Sequence, residues 1–184
     1  MTIRTDRQIR QLAEAGMITP FSPSQIRQGV ISYGLGSTGY DMRLGNEFKM
    51  ALPGVTLDPK KPDPSQWINW TANEPFDLMP GQAILAVSVE RWDLPRHILG
   101  VVLGKSTYAR CNLLVNCTPM EPGWAGYLTI ELVNPTANNP IRIYPNEGIA
   151  QVLFFQTDED CAVSYADKAG KYQDQGNAPI LGRV

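Results

Sequence analysis

An all-β fold, a barrel or a sandwich, is the class this 184-residue sequence predicts, and three observations predict it. Sixteen glycines and fifteen prolines supply turns at short intervals, which suits many brief strands better than a helix bundle. Between those turns lie seven runs with strand character, at a spacing typical of barrels and sandwiches. Helical signals are confined to the start of the chain.

That helix comes first. Thr5 and Gln8 fit a capping box, Ile9 and Leu12 mark an apolar stripe, and Gly16 is a stop. Its expected role is packing. Beyond it, Pro53-Gly54, the stretch Asp58 to Ser65 and Pro80-Gly81 punctuate the chain. The expected strands are Asn46 to Met50, Ala83 to Glu90, Ile98 to Leu103, Leu113 to Cys117, Tyr127 to Val133, Ile141 to Tyr144 and Ala150 to Phe155. No internal repeat or low-complexity linker interrupts them, so residues 1–184 read as one domain. The closing stretch, Ala166 to Val184, is polar and glycine-bearing, and reads as a tail that orders only against something else.

The composition, 43% hydrophobic and 18% charged with a formal net charge of −2, is that of a soluble globular protein. A nucleic-acid polymer normally calls for a clearly basic surface, so that partner is not expected. A small anionic ligand needs only a local cationic cluster and stays open. The first twenty residues carry Arg4, Asp6, Arg7, Arg10 and Glu14, and no apolar run approaches the ~20 residues of a membrane span. A cytoplasmic protein with no membrane partner is expected. Cys111, Cys117 and Cys161 read as buried, reduced thiols.

Two familiar chemistries fail on spacing. A zinc deaminase needs His-x-Glu and Pro-Cys-x-x-Cys to hold its metal. Here the sole histidine is His97, and no Cys-x-x-Cys occurs, so no metal ligands are expected. His97 reads as a surface or satisfied turn residue, and a histidine-based triad is not expected. Gly104-Lys105-Ser106-Thr107 has the tail of a P-loop, but the required earlier glycine falls on Leu99, with Gly100 one residue too close. The segment still suits phosphate: backbone can approach at Gly104, Lys105 brings charge, and two hydroxyls follow. An ordinary charged turn after a strand is the alternative reading.

Tyr127 to Val133 alternates strictly. Leu128, Ile130 and Leu132 share one face, and Tyr127, Thr129 and Glu131 the other. Glu131 therefore stands mid-strand on a partly polar face, either as a solvated glutamate or as a rigidly placed general base. The stiff turn Asn116 to Gly126 precedes it. Trp124 in that turn could cover a sugar or a base, or belong to the core.

Several segments, in order, resemble the dCTP deaminase family, which is related to the trimeric dUTPases. They are Ser37 to Arg43, Gly104 to Arg110, Thr118 to Gly126, Thr129-Ile130-Glu131, Asn146 to Gln151, Ser164 to Asp167 and Gly170 to Gln175. With the N-terminal helix, the resemblance spans nearly the whole chain. It implies a distorted β-barrel of the dUTPase-like type, assembled as a homotrimer with active sites shared between subunits. It implies that dCTP is deaminated hydrolytically to dUTP, supplying dUMP and dTTP synthesis, without zinc.

By the same resemblance Glu131 is the general acid/base, and Ser106 and Arg110 position it and its water. Lys105, Ser106, Thr107, Tyr108, Ala109 and Arg110 form the nucleotide-contacting stretch, with Thr129, Ile130 and Glu131 near the base. Gln151, Tyr165, Lys171 and Gln175 make further contacts, and the tail from 166 closes over the triphosphate. Mg²⁺ rides on the substrate phosphates, and dTTP is an expected feedback inhibitor. One departure concerns the turn from Thr118 to Trp124, which lacks the basic residue some relatives carry. Some family members also cleave the dUTP they form to dUMP and pyrophosphate. The run Tyr108 to Asn112 looks more like the single-function bacterial branch. A dUTP-cleaving bifunctional enzyme and a non-catalytic nucleotide-binding oligomer are the alternatives.

Overall fold

A computed structural model describes residues 1–183. The elements run β1 (Thr2–Ile3), α1 (Asp6–Glu14), β2 (Ile18–Thr19), β3 (Gly34–Leu35), β4 (Tyr40–Arg43), β5 (Glu47–Ala51), β6 (Trp67–Thr71), β7 (Phe76–Leu78), β8 (Ala83–Asp93), β9 (Ile98–Gly104), α2 (Ser106–Ala109), β10 (Leu114–Asn116), β11 (Ala125–Val133), β12 (Ile141–Ile143) and β13 (Gly148–Gln156). All seven expected strands are present, with ends that differ by up to three residues. β1 to β4, β6 and β7 were not expected. Two-residue strands carry no periodicity, and the apolar pattern of β4 is broken by Asp41 and Arg43.

Every strand pairing is antiparallel. One sheet runs β10-β11-β8-β5-β6 with β2 on β8, and another runs β1-β13-β4-β3 with β9 on β13. β7 and β12 form a separate pair. The two larger sheets wrap one core into a distorted barrel, built around Trp92, Tyr40, Phe48 and Phe154. α1 packs on the outside through Ile9 and Ala13, and begins as expected, with the Thr5 backbone N–H donating to Gln8 Oε1 at 3.1 Å.

The sheets are joined by a bridge between Leu44 and Ser88 and by a buried ion pair, Arg43 Nε to Glu90 Oε1 at 2.9 Å. Between Tyr127 and Thr129 the β11–β8 register shifts, and β8 carries the extra residues. There the Leu128 N–H donates to Ser88 Oγ at 2.9 Å instead of to backbone. At this bulge and past it, Leu128, Ile130 and Leu132 point into the core. Burying each such side chain contributes about 1.5–3 kcal/mol, so a one-residue slip that turned all three out would be prohibitive. The same register that buries them holds Glu131 on the opposite face.

Candidate active site

Glu131 lines a cleft of about 530 Å³ with Thr129, Asn116, Cys117, Trp124, Tyr165 and Gln175 among its walls. That volume lies within the ~300–1,000 Å³ usual for small-molecule sites. The carboxylate is half-buried, and Asn116 Nδ2 donates to its Oε2 at 2.8 Å. Asn116 is the cross-strand partner of Glu131 in the β10–β11 ladder, so backbone register creates this contact. Neither periodicity nor motif spacing singled out Asn116, because the partner strand was unknown. Burial, then the neighbouring Glu131 charge, pushes the Cys117 thiol up to about 12, which keeps it protonated at the cleft wall.

Trp124 belongs to the core, with its side chain buried, and it also lines the cleft, with Nε1 donating to the Tyr172 carbonyl at 2.8 Å. The polar tail does not wait for a partner, because it docks on its own barrel. Asp174 N–H donates to Ala125 O and Tyr127 N–H to Gln175 O, both at 2.9 Å, making a short parallel bridge at Gly126. Only glycine suits that point. Its φ is +140°, and an added Cβ would lie 2.8 Å from Gln175 N. Gln175 Nε2 donates to Thr129 Oγ1, and Lys171 Nζ donates to Arg183 O at 3.1 Å. Tyr165 stands in the cleft wall with its hydroxyl accepting from Tyr172 N–H at 3.0 Å. The tie between Lys168 and Glu121 (2.5 Å) and that between Arg91 and Asp174 (2.9 Å) are solvent-exposed, so these two contribute little to holding the tail. Val184, the end of the expected tail, lies outside the described residues.

The stretch 105–110 forms one helical turn after β9. Ser106, Thr107, Ala109 and Arg110 are exposed on it, whereas Lys105 and Tyr108 are buried. Lys105 Nζ is committed to Asp41 Oδ2 at 2.5 Å, and Asp41 also accepts from Gln25 Nε2 at 2.8 Å and Gln151 Nε2 at 3.2 Å. Two residues assigned to nucleotide contact, Lys105 and Gln151, thus meet at one buried carboxylate that the sequence pattern does not single out. The hydroxyl of Tyr108 accepts from Tyr144 N–H at 3.0 Å, and burial raises its pKa well above the usual phenol range.

Arg110 Nη1 donates to Ser106 O at 3.0 Å, and Thr107, Tyr108 and Arg110 line a second, open concavity of about 1,090 Å³. Arg27, Arg142 and Glu147 lie in its wall. This concavity shares no lining residue with the Glu131 cleft. Among the described residues, no hydrogen bond or ion pair joins Ser106 or Arg110 to Glu131 within the chain. The single chain therefore brings Thr129, Glu131, Tyr165 and Gln175 together, holds Ile130 in the core behind them, and leaves Ser106 and Arg110 apart.

His97 is half-buried in its turn, with Nδ1 3.3 Å from Asp160 Oδ1. The three cysteines are free thiols, but Cys111 is exposed and the other two are half-buried, which corrects the expectation that all are buried. Among the described residues, no three His, Cys, Asp or Glu side chains gather as a metal site, and no helix is long and apolar enough to cross a membrane. What the cleft offers chemically is a carboxylate held on a rigid strand beside apolar walls, a geometry able to take a proton from water and return it.

Comparison with known proteins adds a family to this geometry. A family model described as dCTP deaminase-like matches residues 3–157. The chain is 50% identical over 177 residues to a dCTP deaminase of Acidobacterium capsulatum, covering 95% of this chain and 96% of the relative. It is 53% identical over 178 residues to a dCTP deaminase of Roseiflexus castenholzii, covering 95% and 96%. In fold it is similar to the crystal structure of 2'-deoxycytidine 5'-triphosphate deaminase from Agrobacterium tumefaciens, with a TM-score of 0.65 at 16% identity. That likeness covers 84% of this chain and 48% of the other, so this chain matches about half the length of that structure.

Proposed function

The chain belongs to the dCTP deaminase-like family, and on that premise we propose that it hydrolyses dCTP to dUTP and ammonia. The observation that carries the reading is Glu131, a carboxylate fixed mid-strand by core packing and turned into a cleft of nucleotide size. Glu131 takes a proton from water as the oxygen attacks C4 of cytosine. The C4 centre becomes tetrahedral, and Glu131 returns the proton to the amino group. The bond from C4 to that amino nitrogen then breaks and ammonia departs, while the proton left on the added oxygen passes to N3, giving the C4 carbonyl of uracil. Fixed donors around such a centre stabilise the developing charge by several kcal/mol. Zinc is not needed, since the carboxylate itself activates water.

In this reading the site is completed by a second copy of the chain within a homotrimer. The separation of the two concavities supports it: Arg110 lines one, with the exposed Ser106 on the same helical turn, and Glu131 lines the other. Docking the first against the second would bring the turn 105–110 to the Glu131 cleft. A triphosphate carries about four negative charges that must be offset locally. Arg110, Lys168 and Lys171 are exposed cations for that task, and Mg²⁺ arrives with the phosphates. Thr129 and Ile130 border the base, and Gln151, Tyr165, Lys171 and Gln175 contribute to the nucleotide site, with the tail as its cover. The dUTP formed feeds dUMP and dTTP synthesis, and dTTP, an analogue of the product, binds the same cleft as inhibitor.

Two measurements test this. Chromatography after incubation with dCTP, CTP and dUTP side by side is expected to give dUTP from dCTP, with dUTP itself left intact. Formation of dUMP and pyrophosphate would make the enzyme bifunctional, and complete inertness would leave only a nucleotide-binding oligomer. Second, Glu131→Gln and Arg110→Ala proteins, each inactive alone, are expected to regain part of the activity when their subunits are allowed to exchange. A mixture as dead as its parents would place the whole site within one chain.

A further inference from the structure

Arg96 lies in the turn between β8 and β9, and nothing in its sequence context marks it. Its guanidinium is nevertheless committed to one segment of the chain. Nη1 donates to Asp167 Oδ1 at 3.2 Å and Nη2 meets Oδ2 at 2.6 Å, a two-pronged pair. Nη2 also reaches the carbonyls of Cys161 at 3.1 Å and Ala162 at 3.2 Å, and the Cys161 N–H donates back to Arg96 O at 3.1 Å. Asp167 in turn accepts from Ser164 N–H at 2.9 Å, while its own N–H donates to Ser164 Oγ at 3.3 Å. One side chain thus fixes both the exit from β13 and the point where the tail turns back.

Between those anchors stands Tyr165. Its N–H donates to Pro122 O at 2.9 Å, and its ring lies against Gly170, where an added Cβ would come within 2.1 Å of the ring. Tyr165 and the following Tyr172 and Gln175 line the Glu131 cleft. We propose that Arg96 is a positioning residue for substrate binding, clamping the knuckle 164–170 so that Tyr165 and the tail are pre-set against the nucleotide. The inference rests on the deaminase reading for its substrate. An ordinary exposed ion pair would contribute almost nothing, but four acceptors on one guanidinium, all from residues 161–167, order a segment rather than decorate a surface. Lysine cannot reproduce that fork. Asp167 is held down to about 2, by the Ser164 N–H first and Arg96 next, so the clamp is charged at all ordinary pH.

The test uses full-length Arg96→Met and Arg96→Lys, with Asp167→Asn approaching the same contact from the other side. Losing a pre-set wall is expected to raise KM for dCTP about tenfold with kcat within about twofold, because ground state and transition state lose the same contacts. Arg96→Lys should fall between. Trypsin should cut at Lys168 and Lys171 faster in all three variants, and dCTP should protect them less than the native protein. A folded Arg96→Met protein with native KM and native cleavage would overturn the proposal, as would a loss confined to kcat. If the native protein were inert towards dCTP, the deaminase reading would fall instead, and the cleavage rates would still decide whether Arg96 holds the tail.

Discussion

Glu131→Gln is expected to lower kcat for dCTP by about 10²–10⁴-fold, the range a placed general base contributes, while leaving a folded protein that still binds dCTP. The substitution is nearly isosteric. The Gln carbonyl oxygen can still accept from Asn116 Nδ2, which lies 2.8 Å from Glu131 Oε2, so the β10–β11 ladder loses no contact. What disappears is the ability to take and return a proton. Glu131→Asp keeps that ability but withdraws it by one methylene, and a displacement of ~1 Å at a reacting centre can cost about 10²-fold. Thermal melting and equilibrium dialysis with dCTP should match the native protein for both variants. Turnover by Glu131→Gln within tenfold of native would falsify the assignment of this carboxylate as the base.

The largest effect on stability is expected far from the cleft, at Arg43. Glu90 has a fully buried side chain, and its carboxylate accepts from Arg43 N–H and from Arg43 Nε, both at 2.9 Å. Arg43 also covers the Tyr33 ring at 4.8 Å. Arg43→Met keeps much of the volume but leaves Glu90 without its counter-charge, which typically costs about 3–5 kcal/mol. Domains hold only about 5–15 kcal/mol in reserve, so the variant should melt far below the native protein.

Its pH dependence has a definite sign. Burial already raises the Glu90 pKa above the ordinary carboxylate value, against the lowering effect of Arg43. A carboxyl raised in the fold contributes stability below its unfolded pKa and loses it as pH rises through the folded one. Removing Arg43 raises it further. The gap between variant and native in urea unfolding should therefore narrow as pH falls towards the ordinary glutamate range. Adding Glu90→Gln to Arg43→Met should recover part of the loss at neutral pH. A gap independent of pH, with no recovery, would mean that lost packing rather than the orphaned charge is responsible.

The contrast between these two residues reflects what each kind of signal can carry. The strand face of Glu131 was legible because alternation is a local property, and the run from Tyr127 to Val133 reports its own two faces, while its role as a base came only with the family resemblance. Arg43 lay within a recognised segment, but its partner Glu90 is 47 positions away, and only the junction of β4 with β8 brings them together. Asn116, Asp41 and Arg96 were missed for the same reason. Each acts through a neighbour supplied by register or by a returning loop, which residue types along the chain do not record. The seven expected strands announced themselves by apolar runs between turns, whereas the two-residue strands β1, β2 and β3 exist only because a partner edge is present to pair with them.

The cleft with Glu131 belongs to the same division. From the sequence alone came the all-β class, the capped first helix, the two faces of β11, and the family resemblance with its ordered set of site residues. Tertiary structure decided which of those residues share a space: Thr129, Glu131, Tyr165 and Gln175 meet in one cleft, while Thr107, Tyr108 and Arg110 line another. It also decided that the polar tail folds onto its own barrel. Its backbone finds a ready partner in the first residues of β11, at the glycine that allows so close an approach. Alternation and capping act over a few residues and can be read from the chain. Register, bulges and returning segments depend on which distant edges meet, and the core fixes that when the sheets close around it.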